Sequence, residues 1–252
     1  MMGNLPKPRV IQSMPFSHVG IDYAGPIKIR PSTGRGRISV KGYIVVFVCN
    51  ATKAVHLEPV SSYDTAHFMN AFRRFTARRG LCSDIYSDCG TNFVGADAEL
   101  KALFNQNSDN ISKIINQVSD QGIKWHFNSP GAPHFGGLWE ATIKSDKYHL
   151  KRDIGEISLT VEELSTLLAN IESCLNSRPH SPLTDDPTDC SALTHSHFVL
   201  GRPGLSLSES SIIGNDNAKW KMLNQLREDF WKRWSKVNGD PFWSLKDPTL
   251  RF

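Results

Sequence analysis

The sequence has no long hydrophobic run and few cysteines. No apolar segment approaches the roughly 20 residues that a membrane-spanning helix needs. Its start, MMGNLPKPRV, has no apolar region, so we expect no secretory signal. The five cysteines are odd in number and include no CxxC pair, which argues against a disulfide framework and a cysteine-ligated zinc module. These absences predict an intracellular protein that does not bind membranes.

The chain also has only a small excess of basic over acidic residues, which gives a net charge of +4. The segment from Ile27 to Leu57 nevertheless has basic residues and no acidic ones. A basic patch on a near-neutral body is typical of a protein that binds a polyanion. A hairpin edge kept soluble by Lys and Arg explains the same pattern, and charge alone leaves both interpretations open.

The chain of 252 residues is long enough for a sizeable core. We expect an N-terminal arm over 1–15, one domain over 16–205 and a basic, Trp-rich extension over 206–252. Apolar β-branched runs predict three strands in an antiparallel meander, and the first should end at Gly25-Pro26. These strands are His18–Ala24, Tyr43–Cys49 and Ala54–Val60.

Helical patterns alternate with two short strands after the meander. Asp64 and Gly80 predict the ends of the next helix, and Thr160 with Glu163 forms the capping-box pattern of a later one. Residues 179–204 look turn-rich. The fold class is therefore α/β, with a mixed sheet flanked by helices. The other predicted elements are strands Leu81–Tyr86 and Ile123–Phe127, helices Ala96–Phe104, Ile111–Val118, Leu138–Arg152 and Asn217–Lys236, and an irregular loop Asn128–Gly137.

Three acidic residues stand where acids are unexpected. Asp22 lies inside the first strand, Asp88 directly follows a strand, and Glu140 lies in the first turn of a helix. A carboxylate within a sheet is costly unless it is paired or metal-bound. Each also has an ordinary explanation: Asp22 pairs with an arginine, Asp88 caps the turn after it, or Glu140 complements a helix dipole. Together they match the carboxylates that hold two Mg²⁺ ions for phosphodiester chemistry.

The surrounding motifs resemble the D,D-E catalytic core of retroviral and retrotransposon integrases, and within it the BEL/Pao class of LTR retrotransposons. The similarity runs from about Leu5 to Pro203. The motifs that carry it are LPKPRV, PFSHVGIDYAGP, KGYIVVFVC, AVHLEPV, SDCGTNFVGA, HFGGLWEATIKSDKYHLKR, LNSRPHSPL and LTHSHFVLGRP.

The resemblance implies a ribonuclease H-like fold in which Asp22, Asp88 and Glu140 are the catalytic, metal-binding triad. It implies a two-metal site for Mg²⁺ or Mn²⁺ and no small-molecule cofactor. The expected partners are element-end and target DNA and further copies of the chain, in the nucleus. The spacing from Asp88 to Glu140 is longer than in typical retroviral integrases, and the segment with NQNSDN accounts for it.

Lysines follow Glu140 at helical spacing. Lys144, Lys147 and Lys151 share one helix face with it, which suits either DNA phosphates or a solvated surface. The family uses lysines at the positions of Lys144 and Lys147 to hold the donor DNA end. Asn92 lies in a predicted loop where a polar side chain would touch DNA. A second basic cluster, Arg73, Arg74, Arg78 and Arg79, has a structural explanation at the end of its helix.

Two functions follow from these residues. The first is an enzyme that cleaves and joins DNA strands, a polynucleotidyl transferase and endonuclease. The alternative is an inactive or domesticated module that binds DNA or dimerises, with the Trp-rich helix as the partner surface. The resemblance does not include the family's N-terminal His/His/Cys/Cys zinc module, and the extension after 205 diverges from its C-terminal module.

Overall fold

The computed structural model describes residues 12–30, 39–106, 122–128, 144, 147–152, 154, 157–184, 191–204 and 218–238. The predicted arm falls mainly on residues outside these ranges, as do the helix Ile111–Val118 and almost all of the loop Asn128–Gly137. Eight strands and six helices are described. They are β1 (His18–Arg30), β2 (Val40–Cys49), β3 (Val55–Val60), α1 (Thr65–Arg79), β4 (Asp84–Ser87), α2 (Thr91–Gln106), β5 (Lys124–Phe127), α3 (helical residues 147–152), β6 (Leu159–Thr160), α4 (Val161–Asn176), β7 (Pro179–Pro182), β8 (Ala192–Thr194), α5 (His195–Leu200) and α6 (Ala218–Asn238).

A mixed sheet forms the centre of the fold. Its strand order is β3-β2-β1-β4-β5, with β6 paired to the end of β1. The pairs β1–β2 and β2–β3 are antiparallel, which confirms the predicted meander. The pairs β1–β4 and β4–β5 are parallel. The prediction of a mixed α/β sheet flanked by helices is confirmed.

The first strand is longer than predicted. It was expected to end at Gly25-Pro26, but β1 continues to Arg30. The pairing with β2 shifts register between Ala24 and Ile27 and then resumes. The Gly-Pro pair is therefore accommodated as an irregularity within the strand, because Gly25 adopts a positive φ of 130° that few other residues tolerate.

The sheet separates two hydrophobic clusters, and this explains the continuous apolar run of β2. Val45 and Phe47 belong to the cluster with α1 and α2, whereas Val46 and Val48 belong to the cluster with α4 and α6. Successive side chains of a strand point to opposite faces. A strand buried on both faces must therefore be apolar at every position.

The capping predictions are confirmed. The Asp64 carboxylate accepts a hydrogen bond from the His67 backbone N–H at 2.9 Å, and α1 ends at Gly80 with a positive φ. Thr160 and Glu163 form a reciprocal capping box at the start of α4. These bonds satisfy backbone groups that the helix itself leaves unpaired.

The C-terminal helix packs into the same core as the sheet. Leu223, Leu226, Phe230 and Trp234 of α6 are buried in the cluster that α4 and β2 share. The predicted helix over Asn217–Lys236 is thus confirmed, and its apolar face is covered by the chain's own residues. The boundary predicted at 205 stays a prediction.

The segment predicted as turn-rich contains regular structure. β7 and β8 form a two-stranded antiparallel sheet, and α5 follows directly. The prediction missed these elements because the strands are short and β7 both begins and ends with proline, which is uncommon in strands. None of the described helices is long and apolar enough to span a membrane.

Candidate active site

Parallel pairing relates the two segments that carry Asp22 and Asp88. His18, Val19 and Gly20 of β1 pair with Asp84, Ile85 and Tyr86 of β4. Asp22 and Asp88 each lie two residues beyond the last of these pairs, Asp22 within β1 and Asp88 just after β4 ends at Ser87. Neighbouring strands are about 4.8 Å apart. The two carboxylates therefore lie at equal distances along the chain from one pair of neighbouring residues.

Asp22 is held by two contacts. One carboxylate oxygen accepts a hydrogen bond from the Tyr23 backbone N–H at 2.7 Å. The other oxygen contacts the Lys147 ammonium of α3. The side chains of Asp22 and Lys147 are 28% and 31% exposed, so this ion pair is open to solvent. A strand carboxylate here is tolerated because it is paired, and the partner is a lysine rather than the arginine that we considered.

Asp88 forms a tight turn after β4. Its carboxylate accepts a hydrogen bond from the Gly90 backbone N–H at 3.0 Å, which is the turn-capping role expected of Asp88 in its structural explanation. A Cβ on Gly90 would lie 2.7 Å from Asn92 Oδ1 and 3.1 Å from Asp88 Oδ1. A side chain at position 90 would therefore force the Asn92 side chain to shift and would crowd the Asp88 carboxylate, which is exposed.

The charges of both carboxylates act on the hydroxyl of Tyr63. Burial raises the pKa of the Tyr63 hydroxyl, and the charges of Asp88 and Asp22 raise this pKa further. An anion nearby disfavours ionisation of a phenol. The loop between β3 and α1 thus places a tyrosine in the electrostatic field of residues from two strands.

Asn92 lies in the first turn of α2 and is buried, with 3% of its surface exposed. The prediction of a loop position was wrong, because the helix begins at Thr91 directly after the Asp88 turn. The Asn92 side chain instead lies near the Tyr23 hydroxyl, and it partly offsets the increase in the Tyr23 pKa that burial causes. In this position Asn92 does not present its amide to a ligand in solvent.

The three lysines lie on helical residues, as predicted. Lys144 and Lys151 are exposed, whereas Lys147 is half-buried against Asp22. Glu140, the third predicted triad residue, lies outside the described residues. Leu150 and Ile154 of this helical region are buried in the hydrophobic cluster beneath, so they anchor the lysines beside the sheet.

The second basic cluster is part of an ion-pair network. Arg74 and Arg78 of α1 donate to the Glu58 carboxylate at 2.6 and 2.8 Å. Arg79 contacts the Glu172 carboxylate, and the buried His56 ring lies 3.1 Å from both Glu58 and Glu172. This arrangement favours the structural explanation of the arginines, and it gives His56 a structural place on β3.

The same network covers the outer edge of the sheet. Asn176 of α4 accepts from the Val55 N–H and donates to the Val55 C=O, both at 2.8 Å. Glu172 accepts from the Leu57 N–H at 3.0 Å. Side chains thus satisfy backbone groups that an edge strand normally exposes.

Sequence reasoning missed Tyr63 as a neighbour of the site and missed the acidic partners Glu58 and Glu172. An acid in β3 next to a proline, followed by two pairs of adjacent arginines, is a signal that could have indicated the network. No comparable signal marks Tyr63.

The donor chemistry fits a hard divalent cation in part. Carboxylate oxygens are the ligands that Mg²⁺ prefers, and Asp22 already holds one cationic group, the Lys147 ammonium. Among the described residues, no group of three His, Cys, Asp or Glu side chains is placed to hold a metal. Asp22 and Asp88 are the two predicted triad carboxylates that lie among the described residues.

No protein-family model matches the chain, and no curated protein matches it. Among solved structures, it is similar to a chain in the cryo-electron microscopy structure of the simian T-cell lymphotropic virus intasome in complex with PP2A regulatory subunit B56 gamma. The two share 14% sequence identity with a TM-score of 0.47, over 86% of this chain and 66% of that chain. This chain thus covers just under two thirds of that chain. A TM-score of 0.47 is too low to assign roles to residues of this chain from that structure.

Proposed function

We propose that the chain is the catalytic core of a D,D-E integrase, a metal-dependent polynucleotidyl transferase that cleaves and joins DNA strands. The observation that carries this proposal is the parallel pairing of β1 and β4, because Asp22 and Asp88 each lie two residues beyond the last pair, Gly20 and Tyr86. The integrase-like motifs around both residues support the same assignment, and those motifs favour a retrotransposon of the BEL/Pao class.

The sheet order supports a ribonuclease H-like fold. Three antiparallel strands are followed by two strands parallel to the first, in the order β3-β2-β1-β4-β5. In this arrangement the first and fourth strands are neighbours, so a carboxylate in β1 and one just after β4 could bind a shared ion.

Each residue of the site has a distinct role in the proposal. Asp22, Asp88 and Glu140 would hold two Mg²⁺ or Mn²⁺ ions, which supply activation of the attacking hydroxyl and stabilisation of the leaving oxygen. Lys144 and Lys151 would contact DNA phosphates beside the ions. Lys147 would turn from Asp22 to a DNA phosphate in the metal-bound site, because its ammonium contacts a carboxylate oxygen that would then hold an ion.

The proposed partners follow from this chemistry. They are the ends of a mobile DNA element, the target DNA, and further copies of the chain in a dimer or larger oligomer. Integration into chromosomal DNA would take place in the nucleus.

Three charge-neutral substitutions test the assignment. Asp22→Asn, Asp88→Asn and Glu140→Gln should each reduce Mn²⁺- or Mg²⁺-dependent nicking of a labelled DNA end below detection. Folding should be retained, because the solvent-exposed Asp22–Lys147 pair contributes at most about 1 kcal/mol to stability. Thermal unfolding of each variant checks this.

Asp97→Asn is the matched control. Asp97 forms an ion pair with Lys101 at 2.7 Å on α2, so the substitution also breaks an Asp–Lys pair. It should leave nicking unchanged. Nicking that persists in all three triad variants would refute the enzyme assignment. Salt-sensitive DNA binding without metal-dependent nicking by the unsubstituted chain would favour the inactive binding module instead.

A further inference from the structure

Tyr63 is an exposed aromatic residue that its neighbours hold firmly. Its ring centroid lies 4.5 Å from that of Tyr23 and 5.3 Å from that of Tyr43. The next residue, Asp64, caps α1. Despite these contacts, 43% of Tyr63 is exposed. The ring is therefore pre-positioned, and part of it remains open to solvent.

The segment that carries Tyr63 is tied to the turn that contains Asp88. The Thr65 hydroxyl donates a hydrogen bond to the Asn92 carbonyl at 3.3 Å, and the Asn92 side chain lies beside Gly90 in that turn. The charges of Asp88 and Asp22 both act on the Tyr63 hydroxyl and raise its pKa. The phenol is thus neutral at physiological pH, and it lies within electrostatic reach of two carboxylates from neighbouring strands.

We propose that Tyr63 is a substrate-binding residue whose ring stacks on an unpaired nucleobase of the DNA end, next to the phosphate that is cleaved. This inference rests on the proposed function, since it supplies the DNA end. An exposed aromatic ring that is already ordered loses little conformational entropy when it binds a base. Stacking on such a ring tolerates any base, because every base has a π-face.

The chemistry of the side chain favours a base over a phosphate at this position. An aromatic ring offers a nucleobase a π-face on which to stack, whereas it offers a phosphate oxygen only one hydroxyl donor. The backbone phosphates would instead contact Lys144 and Lys151, which are exposed.

The experiment uses a DNA end that carries 2-aminopurine at the terminal unpaired position, with the full chain and Ca²⁺ in place of Mg²⁺. Fluorescence of this base falls when it stacks. Binding of the unsubstituted chain should quench it. Tyr63→Phe should quench equally, because it keeps the ring, and Tyr63→Trp at least equally. Tyr63→Leu should lose the quenching and bind the end about tenfold more weakly, within the range of one lost base stack.

Phe198→Leu is the matched control, since Phe198 is 42% exposed and lies on α5. It should quench normally. Quenching by Tyr63→Leu equal to that of the unsubstituted chain would overturn the proposal. Loss of quenching in a folded Tyr63→Phe would also overturn it, because the hydroxyl rather than the ring would then be responsible. If thermal unfolding shows that Tyr63→Leu does not fold, the Phe and Trp variants decide: reduced quenching by either one contradicts stacking.

A parallel nicking assay with Mg²⁺ separates this inference from the proposed function. An unsubstituted chain that quenches through Tyr63 but never nicks DNA would refute the enzyme assignment and leave the stacking contact in place. Normal nicking with quenching that does not depend on Tyr63 would refute the stacking contact and leave the enzyme assignment in place.

Discussion

Two adjacent arginines of α1 should differ sharply in their effect on stability. Arg74 donates to Glu58 at 2.6 Å and to the Pro59 carbonyl at 2.9 Å. Glu58 is 2% exposed, so its charge has little access to water. Arg73, one position earlier, contacts Glu99 at 3.6 Å, and both of these side chains are exposed. The substitutions Arg74→Gln and Arg73→Gln therefore remove the same group from two different environments.

The expected losses follow from these contacts. A hydrogen bond to a charged group contributes about 1.5–3 kcal/mol. Arg78 and His56 remain beside Glu58 in the Arg74 variant, and the Arg74 side chain is itself 41% exposed. Solvent screening therefore favours the lower end, about 1.5–2 kcal/mol. Arg73→Gln should cost about 0–1 kcal/mol, as exposed ion pairs do.

Denaturant unfolding of both variants measures the difference. In thermal unfolding, a loss of this size corresponds to roughly 3–8 °C for a chain of this length. Binding of a DNA end should be equal in the two variants, because the structure places Arg74 in an internal network. Equal stability losses for Arg73→Gln and Arg74→Gln would refute the reasoning. A selective loss of DNA binding in Arg74→Gln would show that this arginine cluster binds DNA.

Three further predictions concern the same network and the site. The free energy of unfolding should be highest between about pH 4.5 and 6.5. Pairing lowers the pKa of Glu58 and Glu172 below their ordinary value of 4.5, so their contribution is lost as pH falls through the lowered values. The flanking glutamates raise the pKa of His56 above 6.5, so its contribution is lost as pH rises through the raised value. His56→Gln should remove the decline at high pH in denaturant titrations, and an unchanged profile would contradict this. Gly90→Ala should reduce metal-dependent nicking more than stability, because its Cβ would lie 3.1 Å from Asp88 Oδ1 and displace that carboxylate; full activity would show that the turn does not position Asp88. Lys147→Met should bind Mg²⁺ about two- to fivefold more tightly in calorimetry, since the ion no longer competes with an exposed ammonium, and weaker Mg²⁺ binding would argue against that competition.

The ion-pair network and the proposed site lie in different parts of the sheet. The network of His56, Glu58 and Glu172 closes the β3 edge of the sheet, where Asn176 also satisfies the Val55 backbone. Asp22 lies in the inner strand β1 and Asp88 directly after the inner strand β4, away from that edge. Strands that are paired on both sides and packed on two faces move little, so this placement suits a site that needs fixed ligand positions.

Much of the local structure could be predicted because its causes are local. The apolar run Tyr43–Cys49 indicated a strand buried on two faces, and the signals at Asp64, Gly80 and Thr160 predicted helix ends that the structure confirms. The continuation of β1 through Gly25-Pro26 could not be predicted, because pairing with β2 and β6 outweighs a local stop signal. Asn92 was misplaced for a related reason, since a polar segment after a strand began a helix rather than a loop.

The sequence by itself determined the residue types of the site: carboxylates in unusual positions, and lysines at helical spacing after Glu140. These follow from short-range patterns that need no partner. Only the tertiary structure decided which residues meet. The parallel pairing of β1 and β4 relates the segments of Asp22 and Asp88, α3 brings Lys147 to Asp22, and Tyr63 packs against Tyr23 and Tyr43. Each of these contacts joins segments distant in the chain, so its geometry depends on the packing of the whole sheet rather than on any local preference.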